Sequence, residues 1–100
     1  MNLSEDFLSY LRSDQSKFGD RDEFPVGFEL WAEADLEVFN REYEVDRYAP
    51  EFFGFGSDGG GEMLAFDSAG KVYAIPFIGM SAEDATFVAD SWRDFQASFK

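Results

Sequence analysis

Residues 51–77, Glu51-Phe52-Phe53-Gly54-Phe55-Gly56-Ser57-Asp58-Gly59-Gly60-Gly61-Glu62-Met63-Leu64-Ala65-Phe66-Asp67-Ser68-Ala69-Gly70-Lys71-Val72-Tyr73-Ala74-Ile75-Pro76-Phe77, decide the fold. Three short apolar runs are separated by two glycine-bearing loops, Ser57–Gly61 and Asp67–Gly70, which is the pattern of an antiparallel meander. Glycine accepts the backbone conformations that tight loops demand, so the loops are set by chemistry and not merely by polarity. The strands are apolar on both sides: Met63 and Ala65 point one way, Leu64 and Phe66 the other. A sheet with one wet face alternates more cleanly, so both faces here must be covered, by helices, loops or a partner.

Working outward, Ser4 is placed as a helix N-cap, with Glu5 and Asp6 at the positive end of the helix dipole and Leu3 and Leu8 at the staple positions. Phe7, Leu8 and Leu11 form one stripe, which predicts a helix over about residues 5–13. The polar stretch Ser13–Glu23 reads as a solvated loop. Phe24-Pro25-Val26-Gly27 then introduces a strand, Phe28–Trp31. Leu36, Phe39 and Tyr43 recur at helical spacing and predict a short helix over about residues 33–42. At the C-terminal end, Ser91 and Asp94 resemble a capping box, and Trp92, Phe95 and Phe99 make the stripe that docks a closing helix. The expected fold is α+β, a single domain over residues 1–100. A twisted, mainly antiparallel sheet of about four or five strands carries helices from both chain ends.

Composition narrows the chemistry. One hundred residues suit one domain with an ordinary core, and 13 Phe make that core ring-rich. Cysteine and histidine are both absent, which removes disulfides, a thiol nucleophile, the commonest general base and the commonest transition-metal ligands. The formal net charge of −13 opposes binding to nucleic acid or to anionic membranes, and would steer a basic protein toward this one. Solubility alone is an equal explanation for that charge. The acidity is uneven: residues 1–51 carry 14 acidic and 5 basic groups (−9), residues 52–100 carry 7 and 3 (−4). The N-terminus has no basic region or apolar run of a secretory signal, and no stretch reaches the length of a membrane span, so a cytoplasmic protein is expected.

Each candidate site has a structural alternative. The Ser57–Glu62 loop could cradle a phosphate, but it lacks the lysine, the hydroxyl residue and the following helix of a phosphate loop, so a hairpin is preferred. Asp58, Glu62 and Asp67 could offer oxygens to calcium, without the spacing of a calcium loop. Carboxylate pairs suited to glycoside hydrolysis arise by accident among 21 acids. No cofactor or metal site is assigned, and the chain is expected to be non-enzymatic. Trp31, Tyr43, Tyr48 and Trp92 could be interface anchors, against the alternative of core packing. Tyr48, between Arg47 and Pro50, is the least core-like of them. The mixed-charge run Arg41–Arg47 suits a binding edge or a solvated helix end equally. The candidate partner-binding residues are therefore Glu42, Glu44, Asp46 and Tyr48, with Asp58 and Glu62 of the glycine loop.

The chain resembles the SUKH superfamily, the group of the yeast Smi–Knr cell-wall regulators and many small bacterial immunity proteins. The resemblance rests on the strand ending in Phe55-Gly56, the Ser57–Glu62 loop, Leu64-Ala65-Phe66-Asp67, Gly70-Lys71-Val72-Tyr73-Ala74-Ile75-Pro76 and Ala89-Asp90-Ser91-Trp92-Arg93-Asp94-Phe95. Upstream, Phe28-Glu29-Leu30-Trp31, an acidic helix, and Asn40 near Tyr43 and Val45 keep the same order, so residues 24–100 are covered. The extra N-terminal helix, the Leu-Pro element and the Asn-Gly-Gly turn usual in that family are not visible, so the chain looks like a shortened member. The resemblance implies an immunity protein that neutralises a cognate toxin, often a nuclease, by direct binding. The alternative it implies is a regulatory scaffold for an endogenous protein.

Overall fold

The computed structural model describes residues 2–100. Three helices and a short fourth surround one six-stranded antiparallel sheet whose strands lie in sequence order. The elements are α1 (Glu5–Leu11), β1 (Phe18–Asp20), β2 (Gly27–Leu30), α2 (Leu36–Glu42), α3 (Val45–Tyr48), β3 (Phe53–Ser57), β4 (Glu62–Phe66), β5 (Val72–Pro76), β6 (Thr86–Ala89) and α4 (Trp92–Ala97). The meander expected over residues 51–77 is present as β3, β4 and β5, with Glu62 opposite Pro76 and Phe66 opposite Val72.

The expected count of four or five strands falls short at both edges. β1 lies inside the stretch expected to be a solvated loop, pairing Phe18 with Glu29 and Asp20 with Gly27. Polar side chains hid it, because an edge strand needs backbone partners more than apolar residues. Two of its carbonyls are tied from outside the sheet: Ser16 Oγ donates to that of Phe18 at 2.8 Å, and the Lys100 N–H donates to that of Asp20 at 2.9 Å. β6 was also not expected. Three further boundaries moved. α1 stops at Leu11 with Arg12 as its cap, the strand before α2 ends at Leu30, and Glu33–Asp35 form a 3-10 turn ahead of α2.

The helix starts follow their capping residues. Ser4 Oγ accepts the Phe7 N–H at 3.2 Å, and Ser91 Oγ accepts the Asp94 N–H at 3.1 Å. Each helix is thereby aimed at the same sheet face. Cross-strand partners share a face, so Leu64, Phe66, Val72 and Ala74 lie on one side and Met63, Ala65, Tyr73 and Ile75 on the other. On the first side Phe7 of α1 meets Phe55, Phe66 and Trp92 edge-on at 5.0–5.4 Å, and Phe55 stacks on Phe66 at 4.2 Å. Edge-to-face contacts suit the ring quadrupoles and add to the area term. Trp92 Nε1, buried among these rings, has no hydrogen-bond acceptor.

A buried cation locks the C-terminus. Arg21 is 5% exposed and donates to Ser98 Oγ at 2.6 Å and to the Phe24 carbonyl at 2.8 Å. Its guanidinium lies 4.9 Å from the centre of the Phe95 ring. Burial pulls its pKa below the usual arginine value, partly offset by Glu23. Among the described residues no helix is long and apolar enough to cross a membrane.

Candidate functional site

The second sheet face is covered by α2 and α3, and a single side chain fixes how. β2 pairs with β3 only at Glu29–Ser57 and Leu30–Gly56, after which the Trp31 N–H still reaches the Phe55 carbonyl at 3.0 Å. The chain then leaves the sheet, so the beginning of β3 has no strand on that side. Asn40 of α2 takes the strand's place. Its Oδ1 accepts the Gly54 N–H at 2.7 Å and its Nδ2 donates to the Gly54 carbonyl at 2.8 Å, while also reaching the Leu36 carbonyl at 2.7 Å. A primary amide presents one donor and one acceptor side by side, which is what an open sheet edge lacks. Gly54 is required on the other side: a Cβ there would sit 2.5 Å from Met63 Sδ and 3.0 Å from the Trp31 ring.

α2 ends at Glu42, and Glu44, just past its cap Tyr43, adopts φ 55°, ψ 45°, the left-handed conformation that closes many helices and usually belongs to glycine. That turn starts α3. Val45 and Ala49, one helical turn apart, point inward and are essentially inaccessible. Glu42, Glu44, Asp46 and Tyr48 are all exposed on this corner. A shallow groove lies on each side of α3. One, of about 540 Å³, is lined by Glu37, Arg41, Glu44, Asp46 and Arg47 over Asn40 and Phe53. The other, of about 460 Å³, is lined by Tyr43, Tyr48, Phe77, Gly79 and Met80.

The second groove is the outer end of a row of rings. Buried Trp31 meets Phe39 at 5.1 Å and stacks near Tyr43 at 6.0 Å, and Tyr43 meets Phe77 at 4.8 Å. Of the four proposed anchors, Trp31 and Trp92 are core residues, 7% and 2% exposed. Tyr43 and Tyr48 are 45% and 43% exposed, and Ile78, between the lining residues Phe77 and Gly79 in the chain, is 94% exposed. Phe77, Ile78 and Met80 carried no signal as site residues, because an apolar residue after a strand looks like core until its neighbours are known.

Asp58 and Glu62 form a second group. Asp58 Oδ1 accepts the N–H groups of Gly60 at 2.7 Å and Glu62 at 3.0 Å, while Ser57 Oγ accepts that of Gly59. The amides that a phosphate would need are thus engaged inside the loop. Asp67 uses the same device in the next hairpin, accepting from Ala69 and Lys71 at 2.9 Å each. Asp58 and Asp67 sit at opposite ends of β4, roughly 17 Å of strand apart, too far to share a calcium ion. Among the described residues no group of three or more acids is arranged to hold a metal. The Glu62 carboxyl is pushed above the ordinary carboxylate range by burial first, then by Asp58 and Asp84. Phe77 connects the two groups: its N–H donates to the Gly61 carbonyl at 3.0 Å and its ring touches Tyr43.

The arrangement is therefore an open groove lined mainly by Tyr43, Tyr48, Phe77 and Met80, separated by α3 from the charged groove that holds Glu44 and Asp46, with Phe77 tied to the β3–β4 loop. No protein-family model matches the chain, and no curated protein matches it.

Proposed function

We propose that this chain is a non-enzymatic protein-binding module of the SUKH kind, an immunity protein acting in the cytoplasm that neutralises a cognate toxin by covering it. The observation that carries the proposal is the groove beside α3, where Tyr43, Tyr48 and Ile78 are exposed on a surface flanked by acids in a chain of net charge −13. Tyrosine and aliphatic anchors in a shallow depression supply the desolvated centre of an interface, and surrounding charge supplies steering. A nuclease is the toxin class that this charge fits, because the basic groups that hold phosphate would meet Glu42, Glu44 and Asp46. Covering those groups abolishes substrate binding without any chemistry by this chain.

The test is co-expression with a toxin encoded beside this gene, which the protein should rescue, together with association kinetics. Charge reversal across Glu42, Glu44 and Asp46 should slow association several-fold at low salt, with little effect near 1 M salt, where the screening length is about 3 Å. Failure of rescue and of binding by the folded protein overturns the immunity proposal. Binding of an endogenous host protein instead would install the regulatory-scaffold alternative.

A further inference from the structure

Basic residues are scarce beyond α3. From Tyr48 to Trp92 the chain carries Glu51, Asp58, Glu62, Asp67, Glu83, Asp84 and Asp90 against a single basic residue, Lys71. Lys71 is turned away toward Asp90, 3.6 Å distant. Arg47, on α3 itself, lines the groove on the other side of that helix. Its guanidinium lies 5.2 Å from the centre of the Tyr48 ring and 3.3 Å from Glu44 Oε1. The contact is a loose one at the surface, with the Arg47 side chain 69% exposed and that of Glu44 52% exposed.

We infer that Tyr48, which lines the Tyr43–Phe77–Met80 groove, and Glu44, which lines the groove on the other side of α3, form a seat across α3 for an arginine side chain of the protein partner, and that Arg47 occupies this seat in the free protein. A guanidinium is the group that the seat accommodates: it stacks on an aromatic face while its N–H groups stay directed at a carboxylate, which an ammonium does less well. Exposed pairs of this type are weak, so a partner's arginine anchored by further contacts in the groove displaces Arg47 at small cost. The inference names the chemistry of the partner at the site proposed above, and rests on that proposal. It carries a consequence of unusual sign. Removing Arg47 should tighten binding of a cationic ligand, whereas truncating an interface residue ordinarily loosens it.

The experiment titrates the labelled protein with a capped hexapeptide alternating glycine and arginine, with its lysine counterpart and with its uncharged citrulline counterpart. The ring signals of Tyr43 and Tyr48 are followed by NMR. The arginine peptide should shift both rings, the lysine peptide less, and the citrulline peptide not at all. Arg47→Ala should bind the arginine peptide about two- to five-fold more tightly than the unaltered chain. Arg41→Ala, which changes the net charge equally on the neighbouring helix, gives the purely electrostatic reference. The excess of Arg47→Ala over Arg41→Ala should persist near 1 M salt, where the general field is screened. Tyr48→Ala and Glu44→Gln should each weaken binding. The inference is overturned if Arg47→Ala binds no more tightly than Arg41→Ala, if lysine and arginine peptides bind alike, or if the peptide moves signals only around Asp14, Asp22 and Glu23. Peptide binding without rescue from the toxin removes the immunity assignment and leaves the seat. Rescue that survives Tyr48→Ala and Glu44→Gln removes the seat and leaves the immunity assignment.

Discussion

The two faces of the sheet are built from the same kinds of residue and end in opposite conditions. Under α1 and α4, Phe7, Phe55 and Phe95 are fully buried, and Phe66 and Trp92 nearly so. Under α2 and α3, the row that starts at buried Trp31 runs out to Tyr43, and Tyr43 and nearby Tyr48 are each more than two-fifths exposed. Aromatic content does not separate core from candidate interface. The difference lies in what covers each face. α1 and α4 lie against each other and close their side, whereas α2 is held at the β3 edge by Asn40, and α3 is one turn long. A face held by one amide and one helical turn leaves its outer rings uncovered.

The largest effect should come from the closed face. Phe55→Ala removes a ring packed against four others and should cost about 3–5 kcal/mol, read as a lowered urea midpoint at unchanged slope. A cost below about 1 kcal/mol would mean that the closed face repacks freely, and the contrast would fail.

At the junction of the two faces, Asn40→Leu should cost about 1–3 kcal/mol, because it leaves the Gly54 N–H and carbonyl without their side-chain partners. Faster hydrogen exchange at the Gly54 amide would locate the loss. Gly54→Ala should cost a similar amount, about 1–3 kcal/mol, by forcing Met63 and Trp31 apart. Gly60→Ala should be nearly silent, since its Cβ meets only the Asp58 carboxylate at 3.6 Å. Equal costs at the two glycines would show that backbone freedom, and not the tight approach to Met63, governs Gly54.

On the half-open face, Tyr48→Ala should change stability by no more than about 0.5 kcal/mol while weakening partner binding. A loss of several kcal/mol would make Tyr48 a core residue and erase the distinction.

The smallest effect is a slope with pH. Glu62 has a folded pKa above its unfolded value, so the folded chain takes up its proton first as the pH falls. Stability from this group therefore rises as the pH drops through the folded pKa, and the gain is complete below the unfolded one. Glu62→Gln should be more stable than the unaltered chain at pH 7 and should lose this part of the acid slope, as seen in urea midpoints across the weakly acidic range. A Glu62→Gln chain that is less stable at pH 7 would reverse the assignment.

The hairpins were legible because their signals are local. Glycine loops between apolar runs, an aspartate at the start of each loop, and serine caps at two helices act over two to four residues, and each appears where its residues stand. The edge strands were not legible, since β1 is polar and held by backbone partners on β2, from Gly27 to Glu29, and by the distant Lys100. The candidate set was legible in part. Glu42, Glu44, Asp46 and Tyr48 do share one exposed corner, while Asp58 proved to be the organiser of its own loop.

Sequence alone determined the meander, the starts of α1 and α4, the ring-rich core and the acidic surface, because those depend on residue type and on spacing within one turn or one hairpin. Tertiary structure decided which rings are core and which are surface. Exposure is a property of the elements laid over a residue, and here it turns on where Asn40 holds α2 and on how little of the face the single turn of α3 covers. Trp31 and Tyr43 stand in one row, stacked 6.0 Å apart, yet only one of them reaches solvent.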